Sequence, residues 1–223
     1  KTEFSYDDRL LNYLYQNGVI DWETENNVDY YVRFACPFVQ KRLFNYFARS
    51  LLGYMGKLHE PFENMDDTVT KDGLNIVNLM RRFQAYLKKN REWLLEDAPK
   101  RKYLRIFEAV YHFSLYRYLC DFLETRRAKV WPEFPTGNGA VDIIIKYAGR
   151  IYALELKSYT DEAGYSDALD QAVRYGKQLK LSEVFLVFFV EYIDDANREK
   201  YEKDYTDEET GIIVMPVFVE TGN

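Results

Sequence analysis

Gly139-Ala140-Val141-Asp142-Ile143-Ile144-Ile145-Lys146-Tyr147, followed after a tight turn by Arg150-Ile151-Tyr152-Ala153-Leu154-Glu155-Leu156-Lys157, decides the fold of this 223-residue chain. Two apolar runs of strand length around a short turn predict a β-hairpin. Asp142 then stands at the start of the first strand, and Glu155 and Lys157 near the end of the second. Side chains on a strand alternate between faces, so Glu155 and Lys157 point the same way. Leu154, Leu156 and the Ile143-Ile144-Ile145 run supply the packing around them.

Two carboxylates and one ammonium at a sheet edge suit a hard divalent cation and a water beside it. Mg²⁺ takes carboxylate, carbonyl and water oxygens, and Mn²⁺ accepts the same set. Asp142 and Glu155 are the candidate ligands, with the Leu156 carbonyl as a neutral third oxygen. Lys157 is placed to orient or deprotonate an attacking water, or to stabilise charge growing on a phosphate. The plain alternative is an exposed hairpin with ordinary charge pairs.

Asp142 with Glu155-Leu156-Lys157 resembles the D-(x)n-E-x-K signature of the PD-(D/E)xK nuclease superfamily, which includes many restriction endonucleases and recombination nucleases. The flanks fit the resemblance. Tyr165 to Lys180 has helical spacing, with Leu169, Ala172, Val173, Gly176 and Leu179 on one face. Gln171-Ala172-Val173-Arg174-Tyr175 is similar to the Q-x-x-x-Y element that recombination-type members carry on this helix. The resemblance implies that Gln171 orients Lys157 or the scissile phosphate, and that Arg174 and Tyr175 meet the substrate. Upstream, Lys102 to Thr125 reads as an amphipathic helix, and many members carry a metal-assisting Glu on the corresponding helix. Glu108 is the match here; Glu133, just before Gly137-Asn138-Gly139, is a further ligand or a solvent-facing acid.

The element order is then helix, three strands, helix, strand. The last is the continuous apolar run Glu183 to Tyr192, which predicts a strand buried on both faces. The expected fold class is α/β, a restriction-endonuclease-like αβββαβ core with a mixed sheet. Ile212 to Glu220 adds a strand, and Pro132, Pro135 and Pro216 argue for edge positions.

Residues 1–98 form a different region. Arg9 to Asn17 reads as a short helix ended by Gly18, Val19 to Glu23 and Tyr30 to Ala35 as paired strands, and Pro37 to about Leu52 as a helix. Leu11-x-x-Leu14-x-x-x-Gly18-Val19-Ile20, with the later Tyr31-Val32-Arg33-Phe34 and Pro37-Phe38-Val39, is similar to the winged-helix-like lid that joins an AAA-ATPase-like domain to a PD-(D/E)xK nuclease in one branch. This implies a winged-helix-like and helical region over 1–98, a nuclease-like domain over 99–223, and an ATPase domain N-terminal to the chain as a partner. The start at Lys1, without an initiator Met, fits excision from something longer. Gly53-Tyr54-Met55-Gly56-Lys57 lacks the Walker A spacing and its Ser/Thr, so no ATP hydrolysis is expected of this chain. That branch usually has a basic residue before the catalytic Asp, where Ala140-Val141 stand here.

Composition bounds these readings. An apolar fraction of 47% suffices for a core, and no stretch approaches a membrane span. There is no secretory signal, and Cys36 and Cys120 are isolated in apolar surroundings, which points to a cytoplasmic setting. His59 and His112 are isolated too, so His112 is expected to pack or face solvent, and zinc chemistry is disfavoured. The net charge of −6 is uneven: residues 99–190 hold 14 Lys and Arg against 11 Asp and Glu, whereas 191–223 hold 3 against 10. The acidic Asp194 to Glu209 stretch reads as a solvated insertion or helix. Arg81-Arg82 and Lys88-Lys89-Asn90-Arg91 read as a DNA-facing stripe or a solvated helix face.

The expected function is Mg²⁺- or Mn²⁺-dependent hydrolysis of DNA, as an endonuclease rather than an exonuclease, with modest affinity that falls with salt. Two alternatives stay open: an idle restriction-like fold that binds nucleic acid or protein, and a module regulating an attached ATPase. A homo-oligomer stays open as well.

Overall fold

The computed structural model describes residues 2–25, 29–51, 65–95, 108–135, 140–159 and 161–222. The chain divides into two compact units, Lys1–Phe47 and Ala48–Asn223. The Gly53-to-Lys57 stretch and the start of the helix expected from Lys102 lie outside the described residues.

The first unit is built on a hairpin. Helix α1 (Arg9–Gln16) is opened by Asp8, whose carboxylate accepts from the Leu10 and Leu11 N–H groups, and the chain leaves it through Gly18 at φ +68°. Strands β1 (Ile20–Glu25) and β2 (Asp29–Phe34) pair antiparallel, and the register partners Asp21 and Arg33 form an ion pair at 2.6 Å. Helix α2 (Pro37–Leu51) follows, opened by Pro as expected. Cys36 corrects the expectation of apolar surroundings: it is exposed, just ahead of α2, where its carbonyl accepts from the Gln40 N–H at 3.2 Å.

The second unit is a six-stranded mixed sheet between helices. Its elements are α3 (Ile76–Leu95), α4 (Glu108–Leu123), β3 (Lys129–Pro135), β4 (Ala140–Tyr147), β5 (Arg150–Ser158), α5 (Glu162–Leu179), β6 (Glu183–Val190), α6 (Asp195–Tyr201), β7 (Tyr205–Thr206) and β8 (Ile213–Glu220). The strand order is β3-β4-β5-β6-β8-β7. The pairs β3–β4, β4–β5 and β7–β8 are antiparallel, and β5–β6 and β6–β8 parallel. The sequence of α4, β3, β4, β5, α5, β6 is the expected one.

The hairpin turn explains itself. Ala148 at φ 50° and Gly149 at φ +77° are the two positive-φ residues of a two-residue connection that matches strand twist. Strand β6 is buried from Val184 to Phe189, as a strand packed on both faces should be. Its neighbours Phe188 and Phe189 mark the two faces. Phe188 stacks with Tyr165 of α5 and with Phe218, whereas Phe189 meets Tyr111 of α4 and Phe83 of α3.

On the first face the fit is tight. A Cβ at Gly176 of α5 would lie 3.0 Å from Ile212 Cγ2 and 3.2 Å from Val184 Cγ2, both buried. Overpacking costs about 1–3 kcal/mol, against about 1 kcal/mol gained by removing a helical glycine. Gly176→Ala is therefore expected to destabilise by roughly 1 kcal/mol in urea unfolding. An unchanged or raised midpoint would show that Ile212 can move aside.

Four cations of the basic run on α3 are engaged by protein groups, three of them along the outer edge of β8, while Lys88 and Lys89 stay exposed, as on a solvated helix face. Arg81 donates to the Phe218 carbonyl at 2.7 Å and pairs with Glu202, Lys88 pairs with Glu220, and Arg91 donates to the Thr221 carbonyl at 2.8 Å. Arg82 binds Asp67 and Thr68, both at 2.7 Å. From α6, Arg198 pairs with Glu202 at 2.8 Å and Glu220 at 3.3 Å. Glu202 in turn accepts from the Phe218 N–H at 2.7 Å, and Gln84 from the Glu220 N–H at 2.8 Å. Strand β7 pairs only with Ile213 and Val214, so beyond them side chains cover an open edge. Pro216 sits on that stretch, where a missing N–H leaves no ladder bond unmade. The segment 65–95, grouped with the N-terminal region on sequence grounds, thus packs on the sheet. The acidic stretch contains the helix α6, tied down by these pairs. Among the described residues no helix is long and apolar enough to cross a membrane.

Candidate active site

The β4–β5 ladder runs from the turn to the pair Ile143↔Leu154 and stops. One residue further, the Asp142 carboxylate takes the place of a strand partner: its Oδ2 accepts from the Leu156 N–H at 2.7 Å. This bond fixes Asp142 against the end of β5. Glu155, flanked there by buried Leu154 and Leu156, is itself buried, at 1% exposure.

Three groups hold Glu155 or stand beside it. The Lys157 ammonium is 2.8 Å from Glu155 Oε1, as the shared strand face requires. From α5, Gln171 Nε2 donates to the same oxygen at 2.8 Å and to the Tyr175 hydroxyl at 2.8 Å. Glu155 Oε2 is buried and has no hydrogen-bond partner.

Helix α4 closes the other side. Glu108 Oε2 accepts from the Ser158 N–H, just beyond Lys157, at 2.7 Å. One turn along, His112 lies between two carboxylates, with Nε2 3.7 Å from Glu108 Oε1 and Nδ1 3.8 Å from Asp142 Oδ1. Its Nε2 is buried without a hydrogen-bond partner.

Crowding sets the charge states. Burial, then the neighbouring Asp142 charge, pushes the Glu155 carboxyl up to about 8, against the pull of Lys157. Burial also raises Asp142, opposed by His112, the Leu156 N–H and Lys157. Burial alone would lower Lys157, but Glu155, Asp142 and Glu108 together outweigh it and hold the ammonium above its usual range. Burial raises the Tyr175 hydroxyl as well.

The structure therefore brings Asp142, Glu155, Leu156, Lys157, Gln171 and Tyr175 together, with Glu108 joined to them through Ser158 and His112. Three expectations change. Gln171 grips Glu155, not Lys157, because the carboxylate lies between them. Arg174 is exposed and contacts none of these groups among the described residues, since the helical turn that faces Gln171 and Tyr175 inward turns Arg174 outward. His112 belongs to the site, which no local sequence signal shows: its partners lie on β4 and one helical turn away. Glu133 falls in β3, with its side chain outside the described residues.

Among the described residues no three His, Cys, Asp or Glu side chains close into a ready metal shell. The arrangement offers instead two adjoining carboxylates, the kind of partial shell that Mg²⁺ completes with waters. The unpaired Glu155 oxygen fits that use, because a buried acceptor with no partner is costly unless something binds it. No family model matches this chain, and neither a curated protein nor a solved structure does.

Proposed function

We propose that the second unit hydrolyses phosphodiesters of DNA with the help of Mg²⁺ or Mn²⁺, cutting within the strand. The observation that carries the reading is the buried Glu155 carboxylate, with one oxygen held by Lys157 and Gln171 and the other unpaired beside Asp142. The αβββαβ order of elements around it and the resemblance to the PD-(D/E)xK superfamily support the same reading.

Asp142 and Glu155 would hold the cation, with the Leu156 carbonyl and Glu108 as further oxygens. Bound there, the cation would supply Lewis-acid stabilisation of the phosphate and a more acidic water. The chain's own groups do the rest. Lys157, kept charged by three carboxylates, donates and does not accept. It stabilises charge growing on the phosphate or orients the attacking water through that water's lone pair. Gln171 fixes the Glu155 oxygen that Lys157 also uses, so it is a positioning residue, and the Tyr175 hydroxyl orients its amide. His112 stands 3.8 Å from Asp142 and 3.7 Å from Glu108, and lies between the two carboxylates.

Conversion of supercoiled plasmid to nicked circle in Mg²⁺ or Mn²⁺, blocked by EDTA, tests the activity. Partners one step removed from a metal typically change affinity or rate by about 10–100-fold. Gln171→Leu is expected to slow nicking by that factor, with partial rescue at higher Mn²⁺. A rate unchanged by Gln171→Leu would remove Gln171 from the site's machinery.

One observation favours a second reading, an idle fold that binds nucleic acid or protein: the net charge of −6, which is unfavourable to a chain that must hold and cut a polyanion. Such a fold would bind DNA without nicking it in any divalent cation. The first unit, with its helix, hairpin and helix, fits a winged-helix-like lid that would join this domain to an ATPase.

A further inference from the structure

A nuclease must hold a polyanion, yet the site described above gathers carboxylates, and Arg81, Lys88 and Arg91 of α3 are engaged along the sheet edge. At the opposite end of β4 and β5, three segments far apart in sequence bring basic side chains together. Arg126 and Arg127 lead into β3, which begins at Lys129. Lys129 is the register partner of Lys146, and Tyr147 that of Arg150. The turn carrying Lys71 is fastened to this hairpin by two tyrosines. Tyr147 donates its hydroxyl to the Thr70 carbonyl at 2.8 Å, and the Tyr152 hydroxyl accepts from the Leu74 N–H at 2.9 Å. Lys71, Arg126, Tyr147, Thr70, Val69 and Asp66 line an open cleft of about 420 Å³.

These cations differ from those of α3. Lys71, Arg126, Arg127, Lys129 and Arg150 are exposed and form no ion pair among the described residues. The Arg126 guanidinium meets only the Met65 sulfur among them, at 3.6 Å. The neighbouring acids do not cancel the excess. Asp67 is taken by Arg82 and Thr68, which leaves Asp66 in the cleft and Asp72 at the turn.

We infer that this end of the sheet, from the Lys71 turn across Arg126, Arg127 and Arg150, grips the phosphate backbone of the nucleic acid. The inference rests on the proposed nuclease reading for its choice of polyanion. Five residues of strand separate Asp142 from Tyr147 and Arg150 from Glu155, roughly 17 Å at strand rise. A duplex presents about five phosphates per strand over that length. Contacts of this kind set position and affinity and carry no sequence preference.

The test is anisotropy of a labelled 20-base-pair duplex with the full chain in EDTA, over a series of salt concentrations. Each phosphate that is no longer neutralised by a cation lowers the slope of log affinity against log salt by about 0.9. The K71A/R126A/R150A variant is therefore expected to bind at least about 10-fold more weakly with a slope smaller by roughly 2.7, while its melting temperature and circular dichroism stay at wild-type values. Lys203→Ala, which removes an exposed cation between α6 and β7 at the far edge of the sheet, is expected to keep the affinity and slope. Wild-type affinity and slope in the triple variant would overturn the inference, even if plasmid nicking is found. Loss of duplex binding in the triple variant, with no nicking by wild type in any divalent cation, would uphold the grip and sink the nuclease reading alone. Vesicles containing phosphatidylserine serve as the other probe. Binding to them that depends on the three cations, with duplex binding unaffected, would overturn the inference in favour of a membrane surface.

Discussion

Glu155→Ala and Lys157→Ala are each expected to lower plasmid nicking by about 100-fold or more, the usual loss when a group facing developing charge is removed. The two variants fail for different reasons. Glu155→Ala removes one of two carboxylates that face the cation, and leaves Lys157 without the partner 2.8 Å away. Higher Mn²⁺ is expected to recover little, because Asp142 alone gives a poor site. Lys157→Ala leaves both carboxylates in place but takes away the ammonium, so metal binding persists while turnover is lost. Nicking that survives both substitutions in folded protein would refute the assignment. The comparison also needs Glu155→Gln, which keeps the shape of a side chain packed at 1% exposure and guards against mistaking collapse of the core for loss of chemistry.

A second large effect is expected in the stability of the cation-free protein. Folding raises the Glu155 carboxyl to about 8 from its ordinary 4.5, chiefly through burial. Between those values the folded chain holds a proton that the unfolded chain has released. Stability from this group is then fully present below pH 4.5 and lost as pH rises through 8. Asp142, also raised by burial, adds loss in the same direction. Lys157 is raised as well, but a raised ammonium loses its contribution only above its ordinary 10.5, outside this window. One proton corresponds to at most about 1.4 kcal/mol per pH unit. In EDTA, the melting temperature of Glu155→Gln relative to wild type should therefore climb steadily from pH 5 to pH 8. Mn²⁺, which requires deprotonated carboxylates, should stabilise wild type more at pH 8 than at pH 5. Parallel melting curves for the two proteins across this range would show that Glu155 ionises normally in the folded state.

Much of this architecture is legible in the sequence because periodicity carries it. The Ile143-Ile144-Ile145 run, the Ala148-Gly149 turn and the spacing of Glu155 and Lys157 give the hairpin and the shared face directly. The continuous run Val184 to Phe189 likewise gives a strand packed on both sides. The i, i+4 spacing of Gln171 and Tyr175 predicts that they meet, and their groups are 2.8 Å apart.

What stays hidden depends on proximity between distant segments. His112 shows no local signal, since its importance comes from Asp142 across the sheet end. The basic run from Arg81 to Arg91 looks like a phosphate stripe until Phe218, Glu220 and Thr221 are seen beside it. An open strand edge and a backbone of phosphates both attract guanidinium groups, and composition alone does not separate them. Lys71 and Arg126 give no signal in sequence for the converse reason: 55 positions apart, they meet only because Tyr147 and Tyr152 fasten the Lys71 turn to the hairpin. Helical spacing puts Gln171 on the right face, but which of two adjacent charged groups it holds is decided by the depth of Glu155, a matter of packing.

The central claim is that Asp142 and Glu155 together grip a divalent cation, and calorimetric titration of Mn²⁺ into the full chain at pH 8 tests it most directly. Saturable binding by wild type and by Lys157→Ala, lost in the Asp142→Asn and Glu155→Gln variants, is the predicted result. No heat of binding in wild type, or binding left intact in both carboxamide variants, would contradict it.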